Sequence, residues 1–197
     1  SQYRKRYHIF AAAETWCPGP EKEKEWAKDW KGSGGVVWAS GPPETADNLH
    51  GYKGRGIGLF FANCLGEVVE KSERIVRDPQ GRFLAISCTL HGRPTLIVAA
   101  HADNNSDAEQ EAFYKRLAQA LEPFRPDKKP GMDYHFLMDT NNAPDWHLDY
   151  RSTASRTTQS RPLGIAAMQQ LAQTFKVIDN FRESSTHHDV NTRGHIT

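Results

Sequence analysis

Three consecutive stretches decide the fold: Phe83-Leu84-Ala85-Ile86-Ser87-Cys88-Thr89, then Thr95-Leu96-Ile97-Val98-Ala99-Ala100, then His101-Ala102-Asp103-Asn104-Asn105-Ser106. The first two are short apolar runs of strand length, so each reads as a buried strand. The third is polar and leads into a helix from Asp107 to about Leu121. There Phe113, Leu117 and Leu121 recur every fourth residue and make one apolar face. A strand that ends in a polar tip and feeds a helix is an α/β unit, and its tip is where functional side chains gather.

Upstream, Ile57 to Phe61 and Val68 to Val76 also read as strands, and Asp78-Pro79-Gln80-Gly81 supplies a turn into Phe83. The stretch from Gly56 to Leu90 is therefore expected to form a meander that Thr95 to Ala100 continues. Tyr7 to Ala13 is an apolar run ending in Glu14, read as a buried strand with a carboxylate at its tip. Pro18, Gly19 and Pro20 break the chain. Glu21 to Lys31 then alternates acids and bases around Trp26 and Trp30, as an exposed helix with an aromatic inner edge does. Gly34 to Ala39 reads as a strand and residues 40–55 as a surface loop. Downstream, a Pro-rich linker from Glu122 to Gly131 precedes a central strand over Tyr134 to Met138, with Asp139-Thr140-Asn141-Asn142 at its tip. Ile165 to Phe175 is a second amphipathic helix, and Lys176-Val177-Ile178 reads as a strand behind it.

The chain has 197 residues, which fits one domain spanning 1–197. Lys plus Arg number 25 and Asp plus Glu 24, so bulk charge does not hold this protein to nucleic acid, and any polyanion site must be local. One local cationic stretch exists, Arg151 to Arg161. Arg151, Arg156 and Arg161 stand among Ser and Thr without an acid, which suits phosphate contact, although the same composition also serves solvated loops. The longest aliphatic run, Leu96 to Ala100, is far below bilayer length, so no membrane or export segment is expected. Cys17, Cys64 and Cys88 are odd in number and far apart, which points to free thiols in a reducing, intracellular compartment.

Two carboxylates, Glu14 and Asp139, sit at the tips of apolar strands, and Asn141 lies two residues beyond the second. A hard divalent cation takes one or two protein carboxylates and keeps several waters, so such tips suit Mg2+. Taken singly, each acid is equally well a turn carboxylate or an Asx cap. Asp179 with Arg182 reads as a structural ion pair. His187-His188 beside Asp189 has a weak metal-binding pattern, because adjacent histidines on a loop point different ways.

In order along the chain, several segments resemble the motifs of the endonuclease/exonuclease/phosphatase superfamily, which includes DNase I. Ala11-Ala12-Ala13-Glu14-Thr15-Trp16 resembles its "QET" strand end, Gly56 to Phe60 its "GGVAI" strand, and Arg77-Asp78-Pro79-Gln80-Gly81-Arg82 its "RD..GR" hairpin. Leu96 to Asn104 resembles the "NVYAPN" strand and loop, Met138-Asp139-Thr140-Asn141 the "GDFN" segment, and Val177 to Arg182 the "L-D-x-[FW]-R" segment. The endonuclease domains of LINE-type retrotransposons are similar in their "ET" followed by Trp and in the late "D.FR". The resemblance runs from about Tyr7 to Thr197.

The resemblance implies a four-layer α/β/β/α sandwich of two mixed β-sheets, truncated at both termini, and metal-dependent hydrolysis of nucleic-acid phosphodiesters. Glu14 would hold Mg2+ or Mn2+, and Asp139 would orient or deprotonate the attacking water. Asn141 would fix that acid or a phosphate oxygen, and His101 would be a substitute phosphate contact. DNA would be the partner of an active enzyme, and a retrotransposon origin would place it in the nucleus. The departures are a first-strand Asn and a terminal Asp-His pair without counterparts, His101 where the family has Tyr, and Met138 where it has Gly. They lead to the expectation of impaired catalysis, since residues of one preorganised site act as a unit. The alternative is a non-catalytic scaffold or interaction subunit that meets a protein partner at exposed sheet edges.

Overall fold

A computed structural model of the chain describes residues 8–17, 19–30, 34–42, 55–103, 105–141 and 162–178. Its strands are β1 (Ile9–Ala12), β2 (Val36–Ala39), β3 (Ile57–Phe61), β4 (Arg74–Arg77), β5 (Phe83–Leu90), β6 (Arg93–His101) and β7 (Asp133–Asp139). Its helices are α1 (Pro20–Asp29), α2 (Asp107–Leu121) and α3 (Pro162–Phe175). The strands form a three-stranded sheet in the order β1-β3-β2 and a four-stranded sheet in the order β4-β5-β6-β7. Among the described residues, parallel pairing is confined to β6 with β7, and every other pair is antiparallel. That parallel pair is joined through α2, the crossover a parallel connection requires.

Side-chain parity along β5 and β6 builds two cores at once. Leu84, Ile86, Cys88, Ile97 and Ala99 face the other sheet and pack with Val37, Ile57, Leu59 and Phe61. Phe83, Ala85, Leu96, Val98 and Ala100 face the opposite way and pack with Phe113, Tyr114, Leu117 and Leu121 of α2 and Leu171 and Phe175 of α3. Continuous apolar runs are thus what a strand buried on both faces needs. On the outer face of the three-stranded sheet, Trp26 of α1 meets Trp38 edge-on at 5.6 Å. Trp30, at the end of α1, meets Phe60 at 4.9 Å, and Phe10 stacks on Phe60 at 4.5 Å. Gly58 leaves room for this cluster, since a Cβ there would stand 2.6 Å from the Trp38 ring. The layers are α1, three strands, four strands, then α2 with α3, the sandwich expected from the sequence.

Four readings of the sequence are corrected. Gly56 to Leu90 is not one meander: β3 is the central strand of the three-stranded sheet, whereas β4, β5 and β6 are neighbours in the other. Val68 to Glu73 is not strand. Lys71 donates its backbone N–H to the Glu67 carbonyl and Ser72 to that of Val69, which closes a helical turn where the chain passes between sheets. Lys176 to Ile178 forms no strand, because Lys176 takes a left-handed φ of 53° and the Val177 N–H returns to the Ala172 carbonyl as a cap on α3. Among the described residues β7 is also an edge strand rather than a central one.

Candidate functional site

The ends of β1, β6 and β7 and the β4–β5 turn lie at one end of the sandwich. His101 is the last residue of β6 and stands directly beside Asp139, the last residue of β7, in the parallel register. Parity places both on the intersheet side, the side of Ile97, Ala99 and Leu137. Glu14 arrives from the other sheet, two residues past the end of β1. The Thr15 N–H donates to the Gly56 carbonyl and the Trp16 N–H to that of Arg55, which fixes this exit.

The carboxylates of Glu14 and Asp139 each lie 3.9 Å from His101 Nε2, so they stand within twice that distance of each other. Both are more than half exposed, whereas His101 is 7% exposed. The arrangement is a buried imidazole with two solvated acids at its outer nitrogen. Asn141 completes it. Its backbone N–H donates to Asp139 Oδ1 at 3.0 Å, its Nδ2 donates to the Ala102 carbonyl at 2.8 Å, and the same Nδ2 lies 3.1 Å from His101 Nε2. Glu14, Trp16 and Asn141 all adopt left-handed φ angles of 46° to 54°. Such backbone is unfavourable for residues other than Gly or Asn, and it concentrates at sites whose surroundings over-determine it.

Arg82, Asp103, Gln110 and Tyr114 hold these residues, and sequence reasoning assigned none of them a role. Arg82 closes the turn between β4 and β5. Its N–H donates to Asp78 Oδ2, its carbonyl accepts from the His101 N–H, and Gly81 before it takes a φ of 67° against the Gly41 backbone, where a Cβ would meet the nitrogen at 2.6 Å. The Arg82 guanidinium donates from Nη1 to His101 Nδ1 at 2.9 Å and pairs through Nη2 with Asp103 Oδ1 at 2.9 Å. Gln110, fully buried on α2, donates its amide to the carbonyls of Asp103 at 3.1 Å and Asn141 at 2.9 Å, which ties the exits of β6 and β7 together. The Tyr114 hydroxyl donates to the Thr140 carbonyl at 3.1 Å. Burial, and secondarily the charge of Asp139, push that phenol well above its ordinary range, so it remains a donor. One signal for Gln110 was in the sequence: it shares the apolar face of Phe113, Leu117 and Leu121, where an amide needs internal partners.

Of the residues singled out from sequence, the structure brings together Glu14, His101, Asp139 and Asn141. Arg151, Arg156, Arg161, Asp179, Arg182, His187, His188 and Asp189 lie outside the described residues. Cys17 and Cys88 are buried and Cys64 is exposed, all three as free thiols. No described helix is long and apolar enough to cross a membrane.

No protein-family model and no curated protein matches the chain. Among solved structures, the AP endonuclease LMAP from Leishmania major superposes over 91% of this chain and 61% of its own length, with a TM-score of 0.63 at 13% identity. A beta toxin from Staphylococcus aureus covers 91% of this chain and 62% of its own, with a TM-score of 0.49 at 10% identity. A humanized TDP2 from D. rerio covers 69% and 53%, with a TM-score of 0.43 at 15% identity. The chain thus spans about three fifths or less of the length of the structures it matches. With two sheets stacked face to face between helical layers, and with the superposition on the AP endonuclease, the chain has the DNase I-like fold.

Proposed function

We propose that this chain is a divalent-metal-dependent phosphodiesterase domain acting on nucleic acid. The observation that carries the reading is the meeting of Glu14 and Asp139 at His101 Nε2, from two different sheets, with the Asn141 amide alongside. Asp139 is the acid that takes a proton from an attacking water. It is solvated, and its other oxygen is oriented by the Asn141 N–H. His101 and Asn141 face the phosphoryl group. Trp16, 52% exposed two residues beyond Glu14, offers a flat surface on which an unpaired base stacks.

Among the described residues no group of three or more His, Cys, Asp and Glu side chains forms a metal cluster. The donor set fits a hard ion that retains its waters and takes one or two carboxylates, which is the habit of Mg2+ and of Mn2+ in the same role. Glu14 is its protein ligand in this reading. When bound, the ion supplies positive charge to the phosphoryl oxygens. Arg151, Arg156 and Arg161 extend the interface along the nucleic-acid backbone, with DNA as the expected substrate.

The test is nicking of supercoiled plasmid by the purified chain in Mg2+, in EDTA, and with Asp139→Ala. Cleavage that needs the ion and the acid supports the reading. Cleavage that survives either removal is a contaminant's. If no cleavage occurs in Mg2+ or Mn2+, the non-catalytic scaffold becomes the better account.

A further inference from the structure

Both ring nitrogens of His101 face N–H groups. At Nδ1 the neighbour is Arg82 Nη1, 2.9 Å away, and at Nε2 it is Asn141 Nδ2, 3.1 Å away. A guanidinium has only donors and keeps its protons in proteins, so Nδ1 accepts. A neutral imidazole accepts at one nitrogen and donates at the other, so Nε2 carries the hydrogen. Turning the Asn141 amide does not relieve the second contact. Its nitrogen is also 2.8 Å from the Ala102 carbonyl, an oxygen that only accepts, and this fixes which end of the amide points inward. His101 Nε2–H and Asn141 Nδ2–H are therefore two neighbouring donors that do not bond to each other.

Paired donors at this spacing are suited to sharing one oxygen that carries negative charge, as in an oxyanion hole. We propose that Arg82 is a positioning residue that locks His101 in the Nε2–H tautomer and so makes His101 and Asn141 a donor pair for a non-bridging phosphodiester oxygen. The proposal rests on the phosphodiesterase reading for its substrate class, whereas the tautomer lock follows from the geometry alone. The lock is rigid. The Arg82 and Asp103 side chains are 9% and 8% exposed in their ion pair, and the Arg82 carbonyl accepts from the His101 N–H, so guanidinium and imidazole are held by the same two strands. Glu14 and Asp139, each 3.9 Å from Nε2, oppose a dianion at this position. A diester, with one charge shared by two oxygens, suits it better than a free phosphate does.

The test uses nitrogen-15 spectra of the histidine side chains at about pH 8, above the ordinary imidazole range, with His101 assigned by the signal that disappears in His101→Gln. The wild-type chain should show an unprotonated Nδ1 and a protonated Nε2. In Arg82→Met the ring is free to reverse, with Nε2 now accepting from Asn141. In Arg82→Lys, whose ammonium also only donates, the original tautomer should return. Dimethyl phosphate, an inert diester, is then added in the presence of Mg2+. It should shift the Nε2–H and Asn141 amide signals in the wild-type chain and require about tenfold more ligand in Arg82→Met. A protonated Nδ1 in the wild-type chain overturns the proposal, as does an unchanged tautomer and affinity in Arg82→Met. If Arg82→Met does not fold, the wild-type and Arg82→Lys spectra still decide the lock. If the tautomers behave as stated but dimethyl phosphate leaves both donors untouched, the lock stands and the phosphoryl-acceptor role falls, while plasmid nicking decides the phosphodiesterase reading separately.

Discussion

Replacing Gln110 by Leu keeps nearly the same volume on α2 and removes only the amide, which makes it a clean probe of how the site is tied together. Gln110 is fully buried and donates to the carbonyls of Asp103 and Asn141, the residues just beyond β6 and β7. With Leu there, both carbonyls lose a buried partner. Leaving a buried polar group unsatisfied costs about 1–3 kcal/mol, and a carbonyl has a second lone pair to fall back on, so the pair should cost about 2–4 kcal/mol. Because the volumes match, little cavity penalty adds to this. Urea unfolding followed by fluorescence measures it. At a slope of about 2 kcal/mol per molar, the midpoint should fall by about 1–2 M with the slope unchanged. Gln119 on the same helix is exposed, so Gln119→Ala should change stability by less than about 0.5 kcal/mol. A Gln110→Leu loss below about 1 kcal/mol would refute the claim that this amide fastens the two strand exits.

Gly164→Ala should destabilise in the same direction, since a Cβ there would stand 2.2 Å from Gln110 Oε1, and thermal unfolding will show whether the helix gives way without loss. Glu14→Gln and Asp139→Asn should each reduce plasmid nicking about a hundredfold or more while leaving the unfolding midpoint nearly unchanged, because both side chains are solvated. The joint replacement of Arg151, Arg156 and Arg161 by Ala should lower the salt dependence of DNA binding by about 0.9 in the logarithmic slope for each phosphate that is no longer neutralised, and an unchanged slope would remove that loop from the interface. Burial, with the Glu73 charge second, pushes the Cys88 thiol up to about 11, above its unfolded value near 9. The unfolded chain then releases this proton first, so stability should decline as pH rises from about 9 to 11, by at most about 1.4 kcal/mol per pH unit. Cys88→Ala should flatten that decline in equilibrium unfolding across the same window.

What the sequence made legible follows from which interactions are local. β5, β6 and α2 were readable because a continuous apolar run of strand length and a four-residue helical repeat are properties of neighbours along the chain. The same local pattern marks Glu14 and Asp139 as carboxylates at strand tips, whereas it gives His101 to the polar loop and the structure makes it the last residue of β6. Sheet membership was not readable. Periodicity says that Ile57, Leu59 and Phe61 are buried, but not that they are buried across from β5 rather than beside it. Val68 to Glu73 misled because a valine pair amid charged residues fits a strand, while backbone bonds from Lys71 and Ser72 close a turn. The supporting residues failed for the same reason in stronger form. Arg82 meets His101 across 19 positions, and Gln110 meets Asn141 across 31, so nothing near either one in sequence reveals its partner.

The choice between enzyme and inert scaffold turns on what it takes to bury Arg82 and Asp103 at this end of the sandwich. Removing two charges from water carries a desolvation penalty that their mutual attraction offsets only with good geometry, and apolar residues of similar size are often as stable or more so. The same end also holds left-handed backbone at Glu14 and Trp16, which further subtracts from stability. A fold selected only to present its outer surface gains nothing from either feature, since the ion pair faces the imidazole and not a partner. Both features have a use if the ring of His101 must keep one orientation and one tautomer between two carboxylates, which is the requirement of a site that handles a phosphodiester. Asp103→Asn separates the accounts. It preserves shape but weakens the hold on Arg82, so a working site should lose nicking and diester binding by about tenfold or more, with the fold intact by circular dichroism. For a scaffold, the only change should be in stability. Unaltered nicking and diester binding in that variant would refute the functional account of the buried pair.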